Sequence, residues 1–167
     1  MQKRTKMGIV AIGVAGVLGV GWWLGSPLFL DRMVNEPVPE MEAIAPGMAE
    51  KPGSGSMADM AMYTGMFRDG DASHHVKGKA SVVSSGGMQY LRFEDFEATN
   101  GPDLFVYLVG PGMSVGDGIH LGALKGNIGS QNYEIPAGTD LSMHSQVVIW
   151  CRTFNVTFGT ADLANPM

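Results

Sequence analysis

Turn-forming residues divide the chain from Tyr63 onward into short apolar runs, and this pattern constrains the fold more than any other feature. The turns are Gly70-Asp71, Ser85-Gly86-Gly87, Asn100-Gly101-Pro102, Gly110-Pro111-Gly112, Gly126-Asn127 and Pro136-Ala137-Gly138. The predicted strands are Tyr63–Phe67, His75–Val83, Met88–Phe93, Leu104–Val109, Asn132–Ile135, Gln146–Cys151 and Phe154–Phe158. No window keeps a 3.6-residue apolar period, so little helix is expected. The pattern predicts an all-β domain over residues 63–167, an antiparallel sandwich or barrel of about seven to nine strands.

The N-terminal region predicts a membrane anchor. Residues 7–30 contain no charged side chain, and their length suits the ~20 residues that a helix needs to cross a bilayer. Lys3, Arg4 and Lys6 precede this segment, so residues 1–6 should lie in the cytoplasm and the β domain outside it. A cleaved signal peptide is the alternative, but the apolar run is too long and no small-residue cleavage site follows. We therefore expect a single-pass protein of the cell membrane.

Residues 31–62 differ in composition from both neighbours and predict a flexible linker. They contain several prolines and no aromatic residue, and six acidic side chains face only Arg32 and Lys51. Such a segment buries too little apolar surface to offset its ordering entropy, so we expect a stalk that holds the domain off the membrane. The run Met57–Met62 contains thioethers that could bind Cu(I), although biased composition is the preferred explanation.

The charge of the chain argues against nucleic-acid binding. The formal net charge is −5, and the predicted β domain holds ten acidic against six basic side chains. A nucleic-acid-binding domain normally has a basic surface. We therefore expect no nucleic-acid partner.

Cys151 is the only cysteine, and it lies in the most strongly β-forming segment. Beyond the membrane, thiols tend to be oxidised, so a single cysteine there is either hidden in a core or used for its sulfur chemistry. Val147, Ile149 and Cys151 share one strand face, while Val148 and Trp150 share the other. Both faces are apolar, which predicts a central strand buried on both sides. This pattern alone favours an inert core thiol.

The four histidines leave the question of a metal or haem open. A conventional blue-copper site needs a histidine shortly after the cysteine, and none follows Cys151. Copper bound by Cys151 with distant histidines remains possible, as does haem ligation by Cys151 or by a histidine. The histidines are His74, His75, His120 and His144.

Residues 64–164 resemble the DM-thirteen domain, also called the electron-transfer DM domain. The pieces that carry the resemblance are Gly65–Phe67 with His74–Gly78, Leu91–Phe96, Gly101–Leu108, Leu121–Pro136, and Val147–Cys151 with Phe154–Ala161. In animals the family accompanies DOMON and cytochrome-b-type membrane domains. The resemblance implies electron transfer through a cysteine, either as a bare thiol or by holding a prosthetic group. The corresponding residue here is Cys151.

Two functional hypotheses follow. In the first, the protein is a membrane-anchored redox domain that uses Cys151 and exchanges electrons with a separate partner protein, since no DOMON or cytochrome segment is present in the sequence. In the second, it is a non-enzymatic adhesion or ligand-binding module in which Cys151 only fills the core. The loops at His74-His75 and Gly112–Gly118 would then contact the partner.

Overall fold

The computed structural model describes residues 30–39 and 62–165, which contain eight β-strands and one short 3₁₀ turn at Val115–Asp117. The strands are β1 (Tyr63–Asp69), β2 (Val76–Ser85), β3 (Met88–Ala98), β4 (Leu104–Val109), β5 (Ile119–Ala123), β6 (Ile128–Ile135), β7 (Gln146–Cys151) and β8 (Val156–Asp162). Their spatial order is β5-β4-β7-β8-β1-β2-β3-β6, and all neighbours are antiparallel. The sheet curls into a nearly closed barrel, which confirms the all-β prediction.

The strand predictions differ from the structure most clearly in three places. β5 was not predicted, because the exposed His120 and Gly122 interrupt its apolar pattern. The predicted strand at Asn132 begins earlier, at Ile128, since Gly129-Ser130 resembles a turn but pairs with β3. Conversely, Phe154 lies in the β7–β8 turn, where Asn155 adopts a φ of 54°. In each case long-range pairing or turn geometry overrides local composition.

All the loops of the barrel fall into two groups because neighbouring strands alternate in direction. Loops 70–75, 99–103, 124–127 and 152–155 lie at one end, which also holds the last residue of β7. We call this the Cys151 end. Loops 86–87, 110–118 and 136–145 lie at the opposite end.

The barrel interior is apolar and centred on aromatic rings. Phe67, Phe93 and Phe96 contact one another at ring-centroid distances of 4.9 to 5.1 Å. A register shift in β3 between Phe93 and Phe96 places both rings inside, and Asp95 has a φ of 49° at this bulge. Edge-to-face ring contacts add to the stabilisation from burial alone.

The seam of the barrel lies between β5 and β6, the two edge strands of the sheet order. Two buried polar side chains of β6 fasten it from inside. The Tyr133 hydroxyl donates to Gln131 Oε1 at 2.7 Å and accepts from the Lys125 N–H at 3.1 Å. Gln131 in turn exchanges hydrogen bonds with the backbone N–H and C=O of Gly126. Burial raises the pKa of Tyr133, so the phenol stays protonated and keeps donating.

Residues 30–39 form an extended segment, here called the strap, that lies along the free edge of β6. The segment runs parallel to β6, with a bridge between Met33 and Ile128. The Val34 N–H donates to the Ile128 carbonyl, and the Glu36 N–H donates to that of Ser130, both at 2.9 Å. The prediction of a flexible linker is therefore wrong for residues 31–39, because backbone pairing and side-chain contacts order them.

Side chains fix the strap along its length. Glu36 accepts from Lys125 Nζ at 2.8 and 2.9 Å and from the Asn132 N–H at 2.7 Å. Arg92 donates to the carbonyls of Glu36 and Pro37. Burial alone would raise the pKa of Glu36, but the hydrogen bonds from Lys125 and Asn132 outweigh it and lower the pKa below its ordinary 4.5.

Two glycines in the β5–β6 loop and at the start of β6 allow the strap to pack closely against them. A Cβ at Gly126 would overlap the Arg32 carbonyl, and one at Gly129 would overlap that of Val34. Glycine therefore lets the two backbones approach at both positions.

The other predictions for the N-terminal half concern residues outside the described part of the chain. The predicted helix at residues 7–30 lies there except for Leu30, and so does most of the remaining linker. Within residues 30–39 and 62–165, no helix is long and apolar enough to cross a membrane.

We expect Glu36→Gln to loosen the strap by about 1 kcal/mol, because a charge-assisted hydrogen-bond pair is replaced by neutral bonds. Hydrogen-exchange protection of the amides at positions 34 and 36 measures this. In the wild type, the folded pKa of Glu36 lies below that of the unfolded chain. The stabilisation that Glu36 gives the strap is thus complete above about pH 4.5 and is lost as the pH falls through the folded pKa.

The matched control is Glu97→Gln, which breaks the exposed pair with Lys77. If the amides at positions 34 and 36 were equally protected in the two variants, Glu36 would not hold the strap.

We expect Tyr133→Phe to destabilise the barrel by about 1–3 kcal/mol, because it leaves the part-buried Lys125 N–H without its acceptor and removes one of the two donors to Gln131 Oε1. Urea unfolding measures the change. Tyr90→Phe is the control, since among the described residues the Tyr90 hydroxyl donates only to the Met88 sulfur, at 3.8 Å. Its loss should change stability by less than about 0.5 kcal/mol. A neutral Tyr133→Phe would show that the seam does not depend on this hydroxyl.

Candidate functional site

Cys151 is the last residue of β7 and points into the barrel. Its ladder neighbours are Leu104 on β4 and Val156 on β8. The side chain is 0% exposed and belongs to the apolar core. The β-branched run Val147–Ile149 explains the strand, and its alternation places residues 147, 149 and 151 on the inner face. The prediction that Cys151 is buried is confirmed.

The opposite face of β7, also predicted to be buried, is buried at Val148, which is 3% exposed, but only in part at Trp150. Trp150 is only half-buried there, opposite Phe105 on β4. The Arg152 guanidinium stacks over the Phe105 ring at 4.3 Å and donates to Asp103 at 2.9 Å. Cys151 is therefore separated from the outer surface by one layer of sheet, with an indole and a stacked guanidinium on the other side.

The histidines lie at three separate places. His74 and His75 lie in the β1–β2 loop, where their rings contact Asp71 at 2.8 Å and Asp69 at 3.0 Å. These hydrogen bonds lower the pKa of both aspartates.

The other two histidines are on different surfaces. His120 lies on the outer face of the barrel with its ring about 5 Å from those of Phe105 and Tyr107. His144 sits in the β6–β7 loop near the Asp140 carbonyl. The structure thus brings none of the four into the core position that Cys151 occupies.

The loops of the binding-module hypothesis also lie apart. His74-His75 is at the Cys151 end, whereas Gly112–Gly118 is in the β4–β5 loop at the opposite end. One small ligand could not contact both. If both loops contact a partner, as predicted, they do so at opposite ends of the barrel.

Two clefts at the Cys151 end were not predicted from the sequence. One, of about 440 Å³, is lined by residues that include Leu30, Asn100 and Leu104. The other, of about 560 Å³, is lined by residues that include Asp69 and His75. They share Asp31, Asn100 and Asn127, and the Asp31 carboxylate accepts from both asparagine side chains at 2.9 Å. No local sequence pattern marked Asn100 and Asn127 as site residues, because Asp31, which contacts both, is distant in the sequence.

The residues around Cys151 do not fit copper or haem. A copper ion bound to this sulfur would need further nitrogen or sulfur ligands, whereas the strand neighbours are Leu104 and Val156. In the described part of the chain, no three His, Cys, Asp or Glu side chains are grouped as metal ligands. Neither cleft is lined by Cys151, so neither offers a haem direct access to its sulfur.

A family comparison bears on the same residue. The profile of the family described as electron transfer DM13 matches residues 67–163. The chain belongs to this family. The match covers more than half of the chain, confirms the predicted resemblance, and includes Cys151 while leaving out the strap. No curated protein and no solved structure matches the chain.

We expect the Cys151 thiol of the DM13 domain to stay unreactive toward an aromatic disulfide reagent until the barrel unfolds, because thiol exchange requires contact with the sulfur. Cys151→Ala should remain folded and lose about 1–2 kcal/mol of stability, as expected for a small buried group. Reagent kinetics with and without urea, together with urea unfolding, measure both.

The control for access is Thr153→Cys, which puts a thiol at an exposed position two residues away. It should react at once in the folded protein. Native Cys151 reacting at a similar rate would show that the barrel opens readily at this end.

Proposed function

We propose that this chain is an electron-transfer protein held at the outer surface of a membrane, with Cys151 as its redox-active side chain. The observation that carries the proposal is the family match, which spans the barrel and contains the only cysteine. A thiol can change oxidation state reversibly, and Cys151 is the only thiol in the sequence.

The burial of Cys151 selects the type of redox step. Disulfide exchange requires one sulfur to attack another, and the closed barrel keeps a partner thiol away from Cys151. We therefore propose transfer of single electrons. The thiol gives one electron to an oxidised partner protein and its proton passes to water at the Cys151 end of the barrel, which leaves a thiyl radical. An electron from a reduced partner protein and a proton then restore the thiol.

The membrane location rests on the sequence of residues 7–30 and on the basic residues before it. In this arrangement the N-terminus is cytoplasmic and the barrel is extracytoplasmic. The electron donor and acceptor are then proteins on the same side of the membrane as the barrel.

A second candidate is a ligand-binding or adhesion module with Cys151 as packing. Two observations favour it: the complete burial of Cys151, and the clefts that share Asp31 at the barrel end. The two candidates differ in whether removal of the sulfur changes anything besides stability.

The test compares the wild type with Cys151→Ala, using a photogenerated ruthenium(III) polypyridyl complex as a one-electron oxidant. After rapid freezing, electron paramagnetic resonance, which needs no contact with the sulfur, should detect a sulfur-centred radical in the wild type and none in folded Cys151→Ala. Met66→Leu is the control, because it removes an exposed sulfur and should leave the signal unchanged. Identical spectra from the wild type and Cys151→Ala would leave Cys151 as packing and favour the binding module.

A further inference from the structure

We propose that the barrel stands on the membrane by its Cys151 end, with the lipid surface as the partner of that end. This inference rests on the membrane anchor of the proposed function. It replaces the stalk expected from composition with direct contact between barrel and bilayer.

The first argument is that the strap leaves no spacer after the proposed membrane segment, which ends at residue 30. Asp31, the next residue, already accepts hydrogen bonds from Asn100 and Asn127. The Arg32 N–H donates to Asn127 Oδ1 at 2.6 Å. The chain is thus fixed to the barrel within two residues of leaving the bilayer.

The second argument is the direction of the strap. It is parallel to β6, and β6 begins at the Cys151 end. Asn100 and Asn127, which hold its first residues, lie in the loops of that end. The membrane segment therefore joins the barrel at the Cys151 end, and the opposite end points away from the bilayer.

Large apolar side chains are exposed at the Cys151 end. Leu30 is 57% exposed, and Phe154, in the β7–β8 turn, is 64% exposed. An exposed phenylalanine on a loop tip is suited to the apolar boundary of a bilayer. The opposite end also exposes apolar side chains, among them Met88 and Met143, so exposure alone does not choose the end. The attachment and direction of the strap do.

The charged side chains at the Cys151 end indicate which lipid composition the test vesicles need. Nearby, Arg152 is paired with Asp103, and Lys125 with Glu36, so the two basic side chains are already neutralised. A polybasic patch that would require anionic lipid is thus not formed by these residues. Contact with a neutral phosphatidylcholine bilayer should suffice.

The test uses the full chain in phosphatidylcholine vesicles that contain a lipid-linked nickel chelate. A spin label is placed at Thr153→Cys or, as the matched control, at Ala137→Cys, each in a Cys151→Ala background. Both positions are exposed, and they lie in loops at opposite ends of the barrel. Strands of this length, at ~3.3 Å per residue and tilted, separate the ends by roughly 20 Å. Nickel should relax the label at position 153 several-fold more strongly than the label at 137.

Equal or reversed relaxation would overturn the proposed orientation. Vesicle flotation separates this result from failure of the anchor. A chain that does not float has no anchor, and both the membrane location and this inference fail. A chain that floats with equal relaxation keeps its anchor and loses only the orientation. The radical measurement on Cys151 is independent of either outcome.

Gly126→Ala tests the role of the strap. The added methyl group would overlap the Arg32 carbonyl of the strap, and Gly126 does not have a left-handed φ that alanine would strain. Releasing the strap should abolish the difference in nickel-induced relaxation between the labels at positions 153 and 137. Glu36→Gln provides a second, milder variant if Gly126→Ala does not fold. A full difference between the labels in a folded variant whose position-34 amide exchanges freely would refute control by the strap.

Discussion

The seam between β5 and β6 is the constraint on which the rest of the structure depends. A barrel gains from closure because edge strands leave backbone groups without partners. Here the closing edges are joined through side chains, with Gln131 and Tyr133 holding the Lys125-Gly126 backbone from inside. The strap holds the same loop from outside. The loop between the edge strands thus receives hydrogen bonds on two sides, and the aromatic core lies behind it.

Burial of Cys151 links the fold to the proposed chemistry. A sulfur enclosed by Leu104 and Val156 is protected from oxidants that must touch it. Electrons do not need atomic contact to move, so the same packing permits single-electron transfer while excluding disulfide exchange. Trp150, the preceding residue, is half-buried on the other face of β7.

Local sequence patterns predicted the strands whose conformation does not depend on distant partners. Leu104–Val109 and Gln146–Cys151 were predicted to the residue, because uninterrupted β-branched and aromatic runs leave no other period. β5 was missed since its strand conformation depends on pairing with β4. The strap has a composition typical of disorder, and residues far along the chain, among them Arg92, Lys125 and Asn127, order it. Likewise, alternation placed Cys151 inside, but it could not show that Trp150 faces the outside of a barrel.

The strap also protects an edge. Without residues 30–39, the N–H and C=O groups of β6 that now bond Val34 and Glu36 would face solvent as an open row. Such a row is a template for strand addition by another chain. A fragment starting at Tyr63 would keep the stretch that matches the family but would present this adhesive edge. The strap is therefore the element that keeps the barrel from associating with other chains through β6.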